Sequence, residues 1–373
     1  MIDPQHPIAL LAGLTPAQFM RRHWQKRPLL VRGAIPSFAP PVARAGLFDL
    51  AGRDGVESRL IERRKQQWRL RRGPLGRRAL PKLATPDWTL LVQGVDLHDD
   101  RVHELMQRFR FVPDARLDDV MISYATDGGG VGPHFDSYDV FLLQAFGKRR
   151  WRIGRQKDLT LVDGLPLRIL ASFEPEQEYV LEPGDMLYLP PRWAHDGIAE
   201  GECITYSIGF RQPAMGELAR EMLQRLADEA ADELPERPYT DPGQPATAAP
   251  AAIPPAMQAF AREVLDRALR RDSLLDVCLG EWLTEPKPDV WFDAGRAVGP
   301  VGAVALDRRS RMLYDAAHVY LNGEAFRAGG LDARLMRRLA DQRRLEAADV
   351  ARLSDDAAEL LKQWLEAGWL HGR

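Results

Sequence analysis

The sequence is poor in cysteine, in long apolar runs and in net charge, and each shortage excludes a class of protein. Cys203 and Cys278 are its two cysteines and form no CxxC pair, which excludes a thiolate zinc cluster or a disulfide framework. No window approaches the ~18 uncharged apolar residues of a membrane span, and the amino terminus lacks a signal-peptide pattern. The 51 basic and 53 acidic residues nearly cancel. We therefore expect a cytoplasmic protein without membrane contact, in which any contact with nucleic acid is local.

The length of 373 residues is sufficient for two or three folded units, and the first is predicted over residues 1–211. Near its start a helix is expected, with Thr15 as N-cap, Pro16 at the first helical position and Pro28 as its end. From about Leu117, short runs of strand character alternate with Gly and Pro: DVMISYAT, SYDVFLLQAF, RRWRIG, QEYVL, DMLYLP and CITYSIGFR. This spacing is typical of an all-β barrel or jelly roll.

Residues 212–288 are predicted to form a helical region. Apolar side chains recur at helical intervals between Met215 and Leu226, and a second helical stretch covers roughly residues 256–282. Between them, residues 235–255 contain seven prolines and are best described as an extended linker.

Residues 289–373 are predicted to form a small separate domain. An Asn-Gly hairpin signal at residues 322 and 323 lies between apolar strands, and helical patterns follow over residues 333–344 and 354–366. Helices with a hairpin indicate a winged-helix-like domain.

The segment GGGVGPHFD carries a candidate metal site. In an extended strand, His134 and Asp136 project from the same face, because alternate residues share a face. The candidate for a third ligand on another strand is His195, in LPPRWAHDG. Two imidazoles and one carboxylate on one face of a metal ion leave its other coordination positions open. This is the facial arrangement of non-haem Fe(II) oxygenases. A hydrogen-bonded structural histidine is the alternative.

A basic cluster at Lys148, Arg149 and Arg150 begins the strand after Gly147. A keto diacid that chelates iron at one end needs a cation at its far carboxylate, and an arginine or lysine on a neighbouring strand provides one. Because side chains alternate along a strand, only Arg149 or the pair Lys148 and Arg150 can point inward. A solvated strand end is the alternative.

Four stretches together carry a resemblance to a known family: FMRRHWQKRPLLVRGA, PHFDSYDVFLLQAFGKRRWRI, LEPGDMLYLPPRWAHDG and TYSIGFR. They resemble the JmjC-type (cupin) 2-oxoglutarate oxygenases, and in particular the bacterial ribosomal oxygenases that hydroxylate an arginine of large-subunit ribosomal protein sixteen. The resemblance implies a mainly β catalytic domain, a double-stranded β-helix of the cupin/JmjC jelly-roll type. The remainder resembles the family's α-helical dimerisation region and carboxy-terminal domain, which implies a homodimer.

The same resemblance implies roles for individual residues. The metal ligands fall on His134, Asp136 and His195, the basic 2-oxoglutarate anchor on Arg149, and a further contact to the co-substrate on Thr205. The implied activity is hydroxylation dependent on Fe(II), 2-oxoglutarate and O2, with a ribosomal protein as partner.

An arginine-bearing substrate requires carboxylates near the metal. Asp127 precedes the glycine loop and Asp139 lies three residues after Asp136, so both are predicted to bind substrate. Asp127 ranks first because its loop leads directly to His134. Ordinary solvation is the alternative for both.

A second charge run covers residues 59–78, with nine basic residues, one acidic residue and Trp68. Such a patch can contact RNA, but the same charges protect an exposed edge strand from aggregation, and we favour the edge strand.

Two other functions stay open. One is a 2-oxoglutarate-sensing DNA-binding regulator, although residues 290–373 hold 13 Lys or Arg against 12 Asp or Glu, which is not a strongly basic footprint. Another is a different cupin metalloenzyme, such as an isomerase or a zinc hydrolase.

Overall fold

The computed structural model of the protein describes five segments of the chain: residues 2–65, 67–233, 237–269, 272–295 and 301–372. Two compact units are formed. Unit 1 comprises Met1–Gln212 and Pro288–Phe292, and unit 2 comprises Pro213–Lys287 and Asp293–Arg373. The boundary after Gln212 lies one residue from the predicted one. The predicted helical and winged-helix-like regions share unit 2.

Unit 1 is built mainly from strands. Its helices are α1 (Pro16–Arg22), α2 (Arg44–Ala51) and α3 (Asp100–Gln107). Its strands are β1 (Leu29–Val31), β2 (Ser58–Arg64), β3 (Gln67–Arg72), β4 (Trp88–Val92), β5 (Leu117–Ala125), β6 (Val140–Gly154), β7 (Gln177–Leu181), β8 (Met186–Leu189) and β9 (Ala194–Phe210). One antiparallel sheet joins them in the order β1-β8-β6-β9-β5-β4-β2-β3, with β7 paired to β6. The prediction of a mainly β domain is confirmed.

Helix α1 begins as predicted. The Thr15 hydroxyl accepts a hydrogen bond from the Gln18 backbone N–H (3.1 Å), and the Gln18 side chain accepts one from the Thr15 N–H (3.0 Å), which forms a capping box. The helix ends at Arg22 rather than near Pro28. Gln25 adopts a positive φ of 56°, a backbone conformation that a right-handed helix cannot include.

The two longest strands cross the middle of the sheet and were predicted as shorter pieces. SYDVFLLQAF and RRWRIG form the single strand β6, and CITYSIGFR is only the second half of β9. Gly147, after which a new strand was expected to begin, lies instead within β6 at an irregularity in its register with β9. Its φ is +62°, and a Cβ there would lie 2.0 Å from the Glu202 carbonyl oxygen, so the irregularity requires glycine.

The basic run over residues 59–78 forms a hairpin of β2 and β3 as far as Arg72, and Arg77 and Arg78 lie in a short 3-10 helix beyond it. Strand β3 lies at the end of the sheet, which confirms the predicted edge strand, whereas β2 is paired on both sides.

Unit 2 contains the helices α4 (Met215–Glu233), α5 (Pro255–Leu269), α6 (Asp272–Thr284), α7 (Gly330–Gln342), α8 (Ala347–Val350) and α9 (Asp355–Glu366). Its strands are β10 (Val304–Leu306), β11 (Met312–Tyr314), β12 (His318–Leu321), β13 (Glu324–Arg327), β14 (Arg344–Leu345) and β15 (Leu370–Gly372). The Asn322-Gly323 hairpin is confirmed between β12 and β13. Residues 237–254 form neither helix nor strand, as expected for a linker, whereas linker residues 235 and 236 lie outside the described segments.

The apolar face of α4 is largely used within the chain. Met222 and Leu226 are buried against Cys278 of α6, and Leu218 packs at the margin of this cluster. Met215, by contrast, is 89% exposed. The predicted amphipathic helix is therefore confirmed, and packing on α6 explains its buried face, so that face gives no separate support for a dimer.

Asp139 is completely buried in unit 1. Its carboxylate accepts hydrogen bonds from the Tyr188 hydroxyl (2.5 Å), the Gln25 amide (3.2 Å) and Arg116 (3.4 Å). Burial raises the pKa of Asp139 and outweighs these hydrogen bonds, which lower it. Contrary to the prediction, the structure does not offer this carboxylate to a substrate; it ties the segment after Asp136 to the core.

We expect Asp139→Asn to change the pH dependence of stability. A raised pKa in the folded state means that Asp139 contributes stability below its ordinary pKa of 3.8 and loses it as pH rises through the folded value. Asparagine keeps an acceptor for Tyr188 but does not titrate. The free energy of unfolding of the variant should therefore rise relative to wild type from acid to neutral pH. Urea unfolding at several pH values measures this difference, with the exposed Asp163→Asn as control; a difference independent of pH would contradict the assignment.

Candidate metal centre

The two predicted histidine ligands face each other across a backbone bridge. The His134 N–H donates to the His195 carbonyl (3.0 Å), and the His195 N–H donates to the His134 carbonyl (2.8 Å). This antiparallel pairing sets the imidazole centroids 4.2 Å apart. HFD was predicted to lie in an extended strand, but it does not form a regular strand. Within it only His134 pairs, in an isolated bridge. His195 lies near the start of β9.

Backbone carbonyls orient both imidazoles. Nδ1 of His134 lies 2.9 Å from the Gly132 carbonyl oxygen, and Nδ1 of His195 lies 2.9 Å from that of Trp193. Nδ1 therefore carries the proton, and Nε2 is left as the ligand atom. The Asp136 carboxylate lies 3.6 Å from Nε2 of His195. One ligand atom from each of the three residues lies within 4.8 Å of the others, so the structure brings the predicted triad together.

His195 is held in the neutral form that binds a metal. Burial, followed by the nearby His134, lowers its pKa to about 4. The donor set of two neutral imidazoles and one carboxylate fits Fe(II) with open positions.

Of the basic cluster, Arg149 points inward. It is 5% exposed, whereas Lys148 forms an ion pair with Glu182 (2.6 Å) and Arg150 pairs with Glu178 and Glu200 at the surface. Strand alternation explains this split. Glu178, Glu182 and Glu200 thus neutralise the outward cations.

Arg149 and His195 contact the same ring. The Arg149 guanidinium carbon lies 5.6 Å from the Trp151 ring centroid, and the His195 ring lies 5.8 Å from it. One guanidinium nitrogen of Arg149 donates to the Ser123 hydroxyl (3.2 Å). Among the described residues, Nε and Nη2 of Arg149 and Nε1 of Trp151 are buried without a hydrogen-bond partner. Buried donors without partners are costly, so this group fits a carboxylate ligand.

Thr205 lies beside this group, in register with Ser123. It is fully buried, and its hydroxyl donates to the Gln144 side chain (2.9 Å). Sequence reasoning missed Ser123, Gln144 and Trp151, because their proximity depends on the pairing of β5, β6 and β9.

Asp127 is exposed in the turn that begins the glycine loop. Its carboxylate accepts a hydrogen bond from the Gly201 N–H (2.8 Å). The loop is held against β9: a Cβ on Gly130 would lie 2.7 Å from the Gly197 carbonyl oxygen. The chain's own backbone therefore explains this glycine.

Tyr138 marks an acidic environment that the sequence did not indicate. It is 39% exposed, and desolvation followed by the charges of Asp136 and Asp119 raises the pKa of its hydroxyl. Asp118 acts in the same direction. Asp119 is buried and bonded to the Gln93 amide, whereas the Asp118 side chain is 37% exposed.

Comparison with known proteins identifies the family. The profile of the JmjC domain matches residues 104–218, that of the ROXA-like winged helix residues 266–371, and that of the AraC-like ligand binding domain residues 173–275. The ribosomal protein uL16 3-hydroxylase of Escherichia coli K12 is 34% identical over 326 residues, which cover 82% of this chain and 84% of that protein. The chain belongs to the ribosomal oxygenases. A probable ribosomal oxygenase of Haemophilus influenzae is 36% identical over 55% of this chain and 52% of its own length.

Solved structures agree with this assignment. This ribosomal oxygenase superposes on the X-ray structure of E. coli YcfD with a TM-score of 0.83 and 30% identity, covering 96% and 98% of the two chains. A second structure, with a TM-score of 0.79, is of YcfD in complex with cobalt and 2-oxoglutarate. The predicted JmjC/cupin fold, winged-helix-like domain and 2-oxoglutarate-dependent oxygenase class are confirmed, and the activity is that of a ribosomal protein hydroxylase.

Within the described segments of this ribosomal oxygenase, every helix is too short or too polar to traverse a lipid bilayer.

Proposed function

We propose that this ribosomal oxygenase hydroxylates an arginine side chain of large-subunit ribosomal protein sixteen, with Fe(II) as metal, 2-oxoglutarate as co-substrate and O2 as oxidant. The observation that carries the proposal is that His195 of the three-residue metal cluster and a buried, incompletely bonded Arg149 both lie close to the Trp151 ring centroid, at 5.8 and 5.6 Å. The related enzymes named above act on a ribosomal protein or bind 2-oxoglutarate, which agrees with this proposal.

The protein residues position the reactants. His134, Asp136 and His195 would hold Fe(II), and Arg149 would bind the far carboxylate of 2-oxoglutarate through its unpaired nitrogens. When bound, iron with 2-oxoglutarate and O2 supplies the oxidising power to hydroxylate an unactivated carbon. Burial of His195 and Arg149 keeps water from these contacts and strengthens them.

Carboxylates at the mouth of the site would receive the substrate guanidinium. Asp127 is exposed on its loop, and the Asp118 side chain is 37% exposed, 3.5 Å from Nε of Arg211. We expect Asp118→Asn and Asp127→Asn each to raise the KM for an arginine-containing peptide about tenfold, the effect of losing about 1.4 kcal/mol. Turnover of 2-oxoglutarate without peptide should change less than about twofold.

Steady-state succinate formation with and without peptide measures both quantities, with Asp163→Asn as the matched exposed control. A variant that loses both activities equally has a structural carboxylate, and a variant with unchanged KM does not bind the guanidinium.

Intact-mass and fragment analysis of the ribosomal protein tests the proposed reaction. Incubation with the purified enzyme, Fe(II), 2-oxoglutarate and O2 should add one oxygen atom, about 16 Da, to an arginine side chain. An increment on another residue type would reject the arginine assignment, and succinate release without any increment would reject this substrate.

A homodimer in the cytoplasm is proposed for the working enzyme. Helices α4 and α5 expose large apolar side chains that the described part of the chain leaves uncovered: Leu223, Met257, Leu265 and Leu269. Exposed apolar side chains on neighbouring helices are typical of a protein interface.

The alternative of a DNA-reading carboxy-terminal domain loses support. Arg338 pairs with Asp349, and Arg337 and Arg343 donate to backbone carbonyls within unit 2. Three of the arginines that would contact phosphates therefore have internal partners.

A further inference from the structure

The hairpin of β2 and β3 carries positive charge that the fold does not neutralise. Of the nine basic residues in the run 59–78 that contains the hairpin, five have a carboxylate partner: Arg59, Arg63, Arg64, Arg71 and Arg77. The other four form the hairpin cation cluster, defined as Lys65, Arg69, Arg72 and Arg78. All four are exposed, and none has a carboxylate within 4.0 Å in the described segments. These four cations lie between residues 65 and 78, and because side chains alternate along a strand, Arg72 lies on the same face of β3 as Trp68 and Arg69 on the opposite face.

Protection of the edge strand accounts for only part of this charge. The outer edge of β3 has no backbone hydrogen-bond partner in the described parts of the chain, so cations there do oppose pairing with other strands. Arg78, however, lies beyond β3 in a short 3-10 helix, and Lys65 lies in the turn. The cation cluster therefore extends past the edge that needs protection.

An aromatic side chain joins the hairpin to the loop of the metal centre. Trp68 is half-buried on β3, with the Arg63 guanidinium carbon 5.7 Å from its ring centroid. A Cβ on Gly132 would lie 3.1 Å from Trp68 Cζ2, and Gly132 is the residue whose carbonyl orients His134. The hairpin thus borders the loop that carries the metal ligands. Cations interleaved with an aromatic ring are the usual composition of a surface that binds nucleic acid.

The positive charge of the hairpin surface indicates which kind of partner it can bind. The arginine-bearing substrate of the proposed function is itself cationic, so the hairpin repels it, whereas the exposed Asp127 and the partly exposed Asp118 on the same unit attract it. A ribosomal protein is accompanied in the cell by a ligand of the opposite charge, the phosphate backbone of RNA. Anionic and cationic surfaces on the same unit match a basic protein segment together with the RNA that it binds.

We propose that the hairpin cation cluster binds the phosphate backbone of RNA beside the metal centre. The choice of RNA over other polyanions rests on the proposed function, but the binding itself does not require hydroxylation. Contacts to phosphate are independent of sequence, so affinity should depend on salt rather than on base composition.

Fluorescence anisotropy of the full-length protein with a labelled single-stranded RNA of about 20 nucleotides tests the proposal. We expect the triple variant Arg69→Gln, Arg72→Gln, Arg78→Gln to bind about tenfold more weakly at 0.1 M salt and to lower the slope of log Kd against log salt by about 2, since each phosphate contact contributes about 0.7. The matched control is Arg21→Gln, Arg262→Gln, Arg334→Gln, which removes the same charge at three other exposed positions and should bind as wild type. Thermal unfolding verifies that both triple variants are folded. If a triple variant does not fold, the corresponding single-substitution variants are measured in its place.

Each outcome decides the proposal. Failure of the wild type to bind RNA, or equal weakening by both triples, would overturn it. If the wild-type protein binds polyglutamate more tightly than RNA, and the hairpin triple variant loses that binding, the surface would be assigned to an acidic peptide instead. Succinate formation with free ribosomal protein reports on the proposed function separately, and the hairpin triple should leave it within about twofold of wild type.

Discussion

Asp136→Ala is expected to lower the peptide-dependent formation of succinate by at least about a thousandfold, which corresponds to about 4 kcal/mol of lost stabilisation. Asp136 supplies the anionic ligand of the triad, and its loss leaves two neutral imidazoles that bind a divalent ion weakly. The side chain is 24% exposed, so alanine leaves no large buried cavity. The loss should therefore lie in metal binding rather than in folding.

Equilibrium dialysis with Co(II), together with succinate assays, separates the two causes for Asp136→Ala. The variant should retain the wild-type melting temperature and lose stoichiometric binding of cobalt. Asp163→Ala, an exposed carboxylate on the loop between β6 and β7, is the matched control and should retain both. Full cobalt binding and turnover by Asp136→Ala would exclude the triad as the metal centre.

The second large effect is expected at Arg149. Arg149→Gln should raise the KM for 2-oxoglutarate roughly a hundredfold, because removing one partner of a buried charge pair costs about 2–5 kcal/mol. Arg149→Lys should recover part of this loss, since it keeps the charge but not the planar fork of donors. Binding of cobalt should not change in either variant.

Lys148→Gln provides the control for Arg149. It lies one residue away on β6 with its side chain at the surface against Glu182, so the KM should stay within about twofold of wild type. Initial rates at varied 2-oxoglutarate measure all three variants. A rise in KM for Lys148→Gln that equals that of Arg149→Gln would show a general effect of charge rather than an anchor.

The triad was predictable from sequence because two of its ligands lie in one short motif and the third follows a recognisable Pro-Pro turn at the start of β9. Alternation along a strand also limited the basic cluster to two arrangements, and the structure shows that Arg149 is the inward one. These inferences depend on local periodicity, which the sequence records directly.

The errors concern properties that distant residues determine. Asp139 was predicted to bind substrate from its spacing to Asp136, but Tyr188 and Gln25 enclose it from other parts of the chain. The apparent interruptions of β6 and β9 were irregularities within continuous strands. The role of Trp151 as a shared neighbour of Arg149 and His195 depends on the register of β6 with β9, which no local pattern specifies.

The reciprocal pair of main-chain hydrogen bonds between His134 and His195 has a consequence for handling the enzyme. Because the peptide backbone sets the spacing of the imidazoles, stripping the ion with a chelator leaves them preorganised. We therefore expect inactivation by demetallation to be reversed when iron is added back, and foreign divalent ions to compete with iron according to their affinity, preferred geometry and availability.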